Sequence, residues 1–322
     1  MQRPSQTTRR GAIAGLVGAT TVAVWFLLID AFRGELFATP TFVASTLLGL
    51  DGALPTLPLL IGYTAVHVLV FVAIGVVVAW ALARTHLPPY MALGLVLGFL
   101  LFDLIFYAGV IITGANVVAA LGWPQVLVGN ILAALALMGY LKVTSPEKTP
   151  GLRDLLRDHR TTREGLIAGA AGAVAVMVWF FVLDLVRGQL LFTPSALGSA
   201  VFYGARGVAE VQTNATTVIG YTLIHIGAFI SVGLLMSALV EAARRNPPLL
   251  LGLALFFVTF EVLFIGLIAI IATWLLDAMD WWTIVIANLV AAVVMAGYLL
   301  HQHPEVAENL SHDLEEDLVS TE

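Results

Sequence analysis

Two histidines, His67 and His225, stand alone well inside long apolar runs. Each follows a copy of one stretch, Ile61-Gly62-Tyr63-Thr64 before the first and Ile219-Gly220-Tyr221-Thr222 before the second. Tyr63 and Tyr221 precede them by four residues, one helical turn away on the same face. Asp103 and Asn130 lie in the next two apolar runs, and Glu261 and Asn288 answer them in the second half. A carboxylate inside a bilayer costs about 2.5–3.5 kcal/mol on insertion scales, so it needs a partner or a proton. Histidine is the natural partner, because its charge changes near neutral pH. The set therefore predicts a layer that handles protons or a small ion, in a transporter or channel.

Two other chemistries compete with that one. His67 and His225 could be axial ligands of one haem, or join Asp103 and Glu261 as a two-histidine, two-carboxylate metal site. Against this, Val66, Val68 and Leu69 leave little room beside a haem ligand, and no Glu-x-x-His pair marks a di-metal bundle. No bound cofactor is expected on balance. The bland alternative is a hydrogen-bonded layer that locks helix packing in a scaffold or accessory subunit. Packing is the better reading for the histidines. It suits Asp103 and Glu261 less well, since Asn or Gln would lock helices more cheaply. Thr64 and Thr222 are expected to bond their own helix backbone. No phosphate loop, nucleotide fingerprint, nucleophile elbow or zincin motif is present, which argues against an enzyme.

The elements that position these residues follow from hydropathy. Helices are expected over 11–33, 57–83, 89–113 and 121–141, with a short interfacial or re-entrant helix introduced by Thr39-Pro40. At ~1.5 Å rise per residue, His67, Asp103, Asn130 and Trp25 all come out roughly 12–15 Å below one face. That is one layer near the middle of a core about 30 Å thick. Asp30–Arg33 and Asp184–Arg187 are expected to form ion pairs anchoring helix ends at the outer face. Trp123, Trp281 and Trp282 read as interface anchors.

The whole order then recurs. Trp25, Asp30, Arg33 and Thr39-Pro40 are matched by Trp179, Asp184, Arg187 and Thr193-Pro194, each 154 residues on. From the Gly-Tyr-Thr stretch onward the offset is 158, so one loop of the second copy is four residues longer. The chain therefore reads as an all-α integral membrane protein of eight transmembrane helices, arranged as two parallel four-helix repeats about a pseudo-twofold axis along the membrane normal. Its parts are a basic tail (1–10), repeat one (11–143), a linker with an amphipathic segment (144–164), repeat two (165–301) and an acidic tail (302–322).

Composition agrees. Of 322 residues 60 % are hydrophobic and only 11 % charged, against about 25 % charged in soluble domains; mean hydropathy is +0.96. Zero cysteines excludes disulfides, iron–sulfur clusters and thiolate metal sites. The run after Arg9-Arg10 is too long for a signal peptide and lacks a small-residue cleavage site. Of the 15 Lys and Arg, only Arg33, Arg187 and Arg206 fall outside if the N-terminus is inside, which predicts a prokaryotic cytoplasmic membrane with both termini cytoplasmic. The net charge of −6 comes mostly from the acidic tail. That tail reads first as a solvated, partly disordered acidic segment, with contact to a partner in a membrane complex or to the basic segment 152–157 as the alternatives. The lipid bilayer is the expected surroundings, and nothing suggests nucleic acid.

Overall fold

The computed structural model describes residues 4–50, 54–85, 87–113, 121–145, 158–244, 246, 249, 250, 257, 262, 264–266, 268 and 272–306. At positions 92, 103 and 106–113 it describes the backbone alone. Most of the described residues are helical, with no strand among them. Among the described residues, six helices are long and apolar enough to cross a membrane, and the protein is a helical membrane protein.

The chain forms two compact units, Met1–Gly151 and Leu152–Glu322. In the first, α1 (Pro4–Arg33) is followed by the short α2 (Ala38–Leu48), then α3 (Leu57–Arg84), α4 (Met91–Thr113) and α5 (Trp123–Val143). The second contains α6 (His159–Val186), the short α7 (Phe192–Tyr203), α8 (Tyr221–Ala243), α9 (Trp274–Ala278) and α10 (Trp281–Gln302). A π-helical turn, Thr216–Gly220, leads into α8. The expected counterpart of α4 in the second half falls largely outside the described residues, as do the basic segment 152–157 and the tail from 307 onward.

Helices α1 and α6 start earlier than hydropathy alone predicts. Their first turns are polar but still helix-forming, and Asp158 caps α6 by accepting from the Thr161 N–H at 3.1 Å. Glycine sets the packing in each unit. A methyl group on Gly11 would lie 2.7 Å from the Gly75 carbonyl oxygen, and Gly15 is pressed against the Phe71 carbonyl. The second unit packs α6 on α8 the same way, through Gly165, Gly169 and Gly233. Such backbone-to-backbone approach is how helices associate where lipid is as apolar as leucine. Alanines continue the seam, with Ala14, Ala19 and Ala133 fully buried in the first unit and Ala168, Ala173 and Ala287 in the second.

Candidate functional site

Helices α1 and α3 place His67 against the backbone of α1. Its Nε2 lies 3.1 Å from the carbonyl oxygen of Ala19. The ring stacks on Tyr63, with centroids 5.6 Å apart and planes at 21°, and rests on Phe71 at 4.9 Å. His225 repeats the arrangement from α8. Its Nε2 is 3.2 Å from the Ala173 oxygen, and its ring lies 6.1 Å from Tyr221 and 4.7 Å from Phe229. A carbonyl can only accept, so each histidine donates through Nε2–H. The lone pair left over is on Nδ1.

Both tryptophans and the Asn130 amide nitrogen also turn to backbone. Trp25 Nε1–H donates to the Gln125 oxygen at 2.8 Å, tying α1 to α5. Trp179 Nε1–H donates to the Thr283 oxygen at 3.1 Å, tying α6 to α10. Asn130 is 2 % exposed and donates from Nδ2 to Val126 O, one turn back in its own helix. Its Oδ1 has no hydrogen-bond partner among the described residues, and the same holds for Asn288 Nδ2. Thr64 and Thr222 bond the carbonyls four residues back, at 2.7 Å each, as their position predicts. Asp103 lies on α4, where the backbone alone is described, and Glu261 lies outside the described residues. The expected His–carboxylate contact is therefore not part of the geometry above.

The expected ion pairs within Asp30–Arg33 and Asp184–Arg187 are replaced by something else. Asp30 is 1 % exposed, and its carboxylate accepts from Thr39 N–H at 2.8 Å and from Thr39 Oγ1–H at 2.7 Å. Asp184, 2 % exposed, accepts the same two bonds from Thr193, at 2.8 Å each. A buried carboxylate has to be hydrogen-bonded, and the first turn of a short helix offers unpaired N–H groups and a favourable dipole. Thr39 and Thr193 thus lie inside the first turns of α2 and α7. The N-cap positions are Phe37 and Leu191, both left-handed at φ 66° and 64°. A bulky residue in that region costs roughly 1–3 kcal/mol, which the paired bonds to the aspartate offset. Arg33 points outward, and Arg187 pairs instead with Asp280, at 2.6 Å.

One cluster had no counterpart in the sequence reading. Where α6 begins and α10 ends, Glu164 Oε2 lies 2.7 Å from His303 Nε2, with both side chains buried. Arg160 holds the other oxygen of Glu164 at 2.7 Å and donates to the Gln302 carbonyl at 2.8 Å. Glu305 lies on the far side of the imidazole and pairs with Arg244 at 2.7 Å. The available signal was a charge reversal, since the alignment of the two halves sets Arg10 opposite Glu164. Arg10 donates to Leu141 O at 3.1 Å and to Thr144 Oγ1, bridging α1 to the end of α5. Among the described residues, no three His, Asp or Glu gather as metal ligands would.

The chain matches no protein-family model, and neither a curated protein nor a solved structure is similar to it.

Proposed function

We propose that the chain is a prokaryotic cytoplasmic-membrane protein of eight spanning helices, two four-helix repeats in one orientation, with both termini cytoplasmic. Its mid-membrane layer locks helix packing, and the protein serves as a non-catalytic scaffold or accessory subunit of a membrane complex. The acidic tail is its contact with a partner. The observation that carries the packing role is the bond from each histidine to a backbone carbonyl of the neighbouring helix, His67 to Ala19 and His225 to Ala173. A duplicated origin is supported by the pairs of matching contacts at matching sequence offsets, including Asp30–Thr39 with Asp184–Thr193 and Trp25–Gln125 with Trp179–Thr283.

A second reading, proton or small-ion handling by His67, Asp103, Asn130 and their counterparts, is favoured by one feature. The buried Asn130 Oδ1 has no partner among the described residues, and buried polar atoms left unpaired ask for an explanation such as water or an ion. A haem or metal reading through His67 and His225 requires coordination through Nδ1, or loss of the carbonyl bonds. The test is unfolding of His67→Ala and His225→Ala in detergent, alongside absorption spectra and metal content. The packing role expects losses of about 0.6–1.7 kcal/mol per site, with a colourless, metal-free wild type. Undiminished stability, with a Soret band or bound metal that the variants lose, would overturn it.

A further inference from the structure

The cluster around His303 has a feature that ordinary helix-end capping does not explain. His303 is 1 % exposed, and it lies between two carboxylates. Glu164 Oε2 is 2.7 Å from Nε2, and Glu305 Oε1 is 3.7 Å from Nδ1. Arg160 donates to Glu164 Oε1 at 2.7 Å, so Glu164 meets the imidazole as an acceptor. Nε2 must therefore be the donor to Oε2. The question is then what sits on Nδ1.

No hydrogen-bond partner reaches Nδ1 among the described residues. On a neutral ring, Nδ1 would be a buried bare lone pair whose charged neighbour is another acceptor, which is unfavourable twice over. With a proton there, the same atom faces the Glu305 carboxylate favourably. Glu305 is itself kept ionised. Its carboxyl is held below the usual carboxylate range by its own backbone N–H first, then by Arg244 and His303.

The imidazole is flanked by Glu164, which Arg160 of α6 bonds, and by Glu305, which Arg244 of α8 bonds, and Arg244 in turn bonds Glu241 at 2.9 Å.

We propose that His303 is a proton-binding site, carrying a second proton on Nδ1 that joins Glu164 and Glu305 and so ties together the ends of α6, α8 and α10. When the proton leaves, it passes from Nδ1 to water beside the partly exposed Glu305, and the ring keeps Nε2–H on Glu164. The tie is thus present while the ring holds both protons and weakens as pH rises past their loss. Under the alignment proposed above, the first unit makes the equivalent tie with Arg10, which stays charged at every physiological pH. The inference stands whether the protein is a scaffold or an ion handler.

The test uses the full chain, labelled with ¹⁵N-histidine, in detergent micelles, and reads ring nitrogen shifts between pH 6 and 9. The His303 signal is assigned by its loss in His303→Gln. If that variant fails to fold, Glu305→Gln, a change at a half-exposed position, identifies the signal by moving it. At pH 7 the proposal expects both His303 nitrogens at protonated shifts in the wild type, and a neutral Nε2–H ring in Glu305→Gln. A neutral ring in the wild type at pH 7, or a His303 signal that Glu305→Gln leaves in place, would overturn it.

Discussion

Asp30 shows how a residue's type can be legible while its partner is not. A carboxylate three residues from an arginine near a helix end suggests a surface ion pair. Burial decided otherwise, since a buried acid gains more from two short hydrogen bonds to Thr39 than from an exposed arginine whose pairing is screened by water. The same choice at Asp184 and Thr193 makes it testable. Asp30→Asn keeps one acceptor and is expected to cost less than Asp30→Ala, which strands the Thr39 N–H and is expected to cost about 1–3 kcal/mol. Arg33→Ala is expected to change stability by under about 0.5 kcal/mol. Thermal unfolding of the three variants in one detergent checks the order, and an Arg33→Ala cost matching that of Asp30→Ala would restore the ion pair. His67 follows the same logic, with its ring nitrogen going to the nearest carbonyl that helix packing presents.

Helices were the legible scale. A bilayer dictates apolar length, and Gly11, Gly15 and Gly75 in one unit and Gly165, Gly169 and Gly233 in the other mark where backbones meet. What hydropathy could not give was rotation of one helix against another, and rotation decides whether His67 meets Ala19 or a carboxylate. Nor could it pair Glu164 with His303 across 139 residues. Two expectations belong here. Gly15→Leu, with no room against Phe71, is expected to destabilise the α1–α3 pair by about 1–3 kcal/mol or more. Gly62→Leu is expected to be near neutral, because no described residue lies within 4 Å of a Cβ there. The second concerns Asp158, whose carboxyl is held below the usual range by the Thr161 N–H and hydroxyl. A depressed carboxyl stabilises the folded state above its unfolded titration range and stops doing so as pH falls through its folded one. The melting-temperature gap between wild type and Asp158→Ala should therefore be full at neutral pH and close in acid. A gap that persists in acid would show that the cap bond does not stabilise α6.

For the whole molecule, the proposed duplication rests on landmarks that keep a constant spacing with a single change of register. The two units differ in chemistry, with Arg10 at one helix end and the Glu164–His303–Glu305 cluster at the other. The proposed mid-membrane layer has members in both halves, and whether it moves protons or fixes helices is the central question. Proton uptake into liposomes carrying the wild-type protein, compared with an Asp103→Asn, Glu261→Gln double variant and with protein-free liposomes, addresses it most directly. A packing role predicts no uptake above the protein-free control in either protein. Uptake by the wild type that disappears in a folded double variant would contradict it and make the layer a proton path.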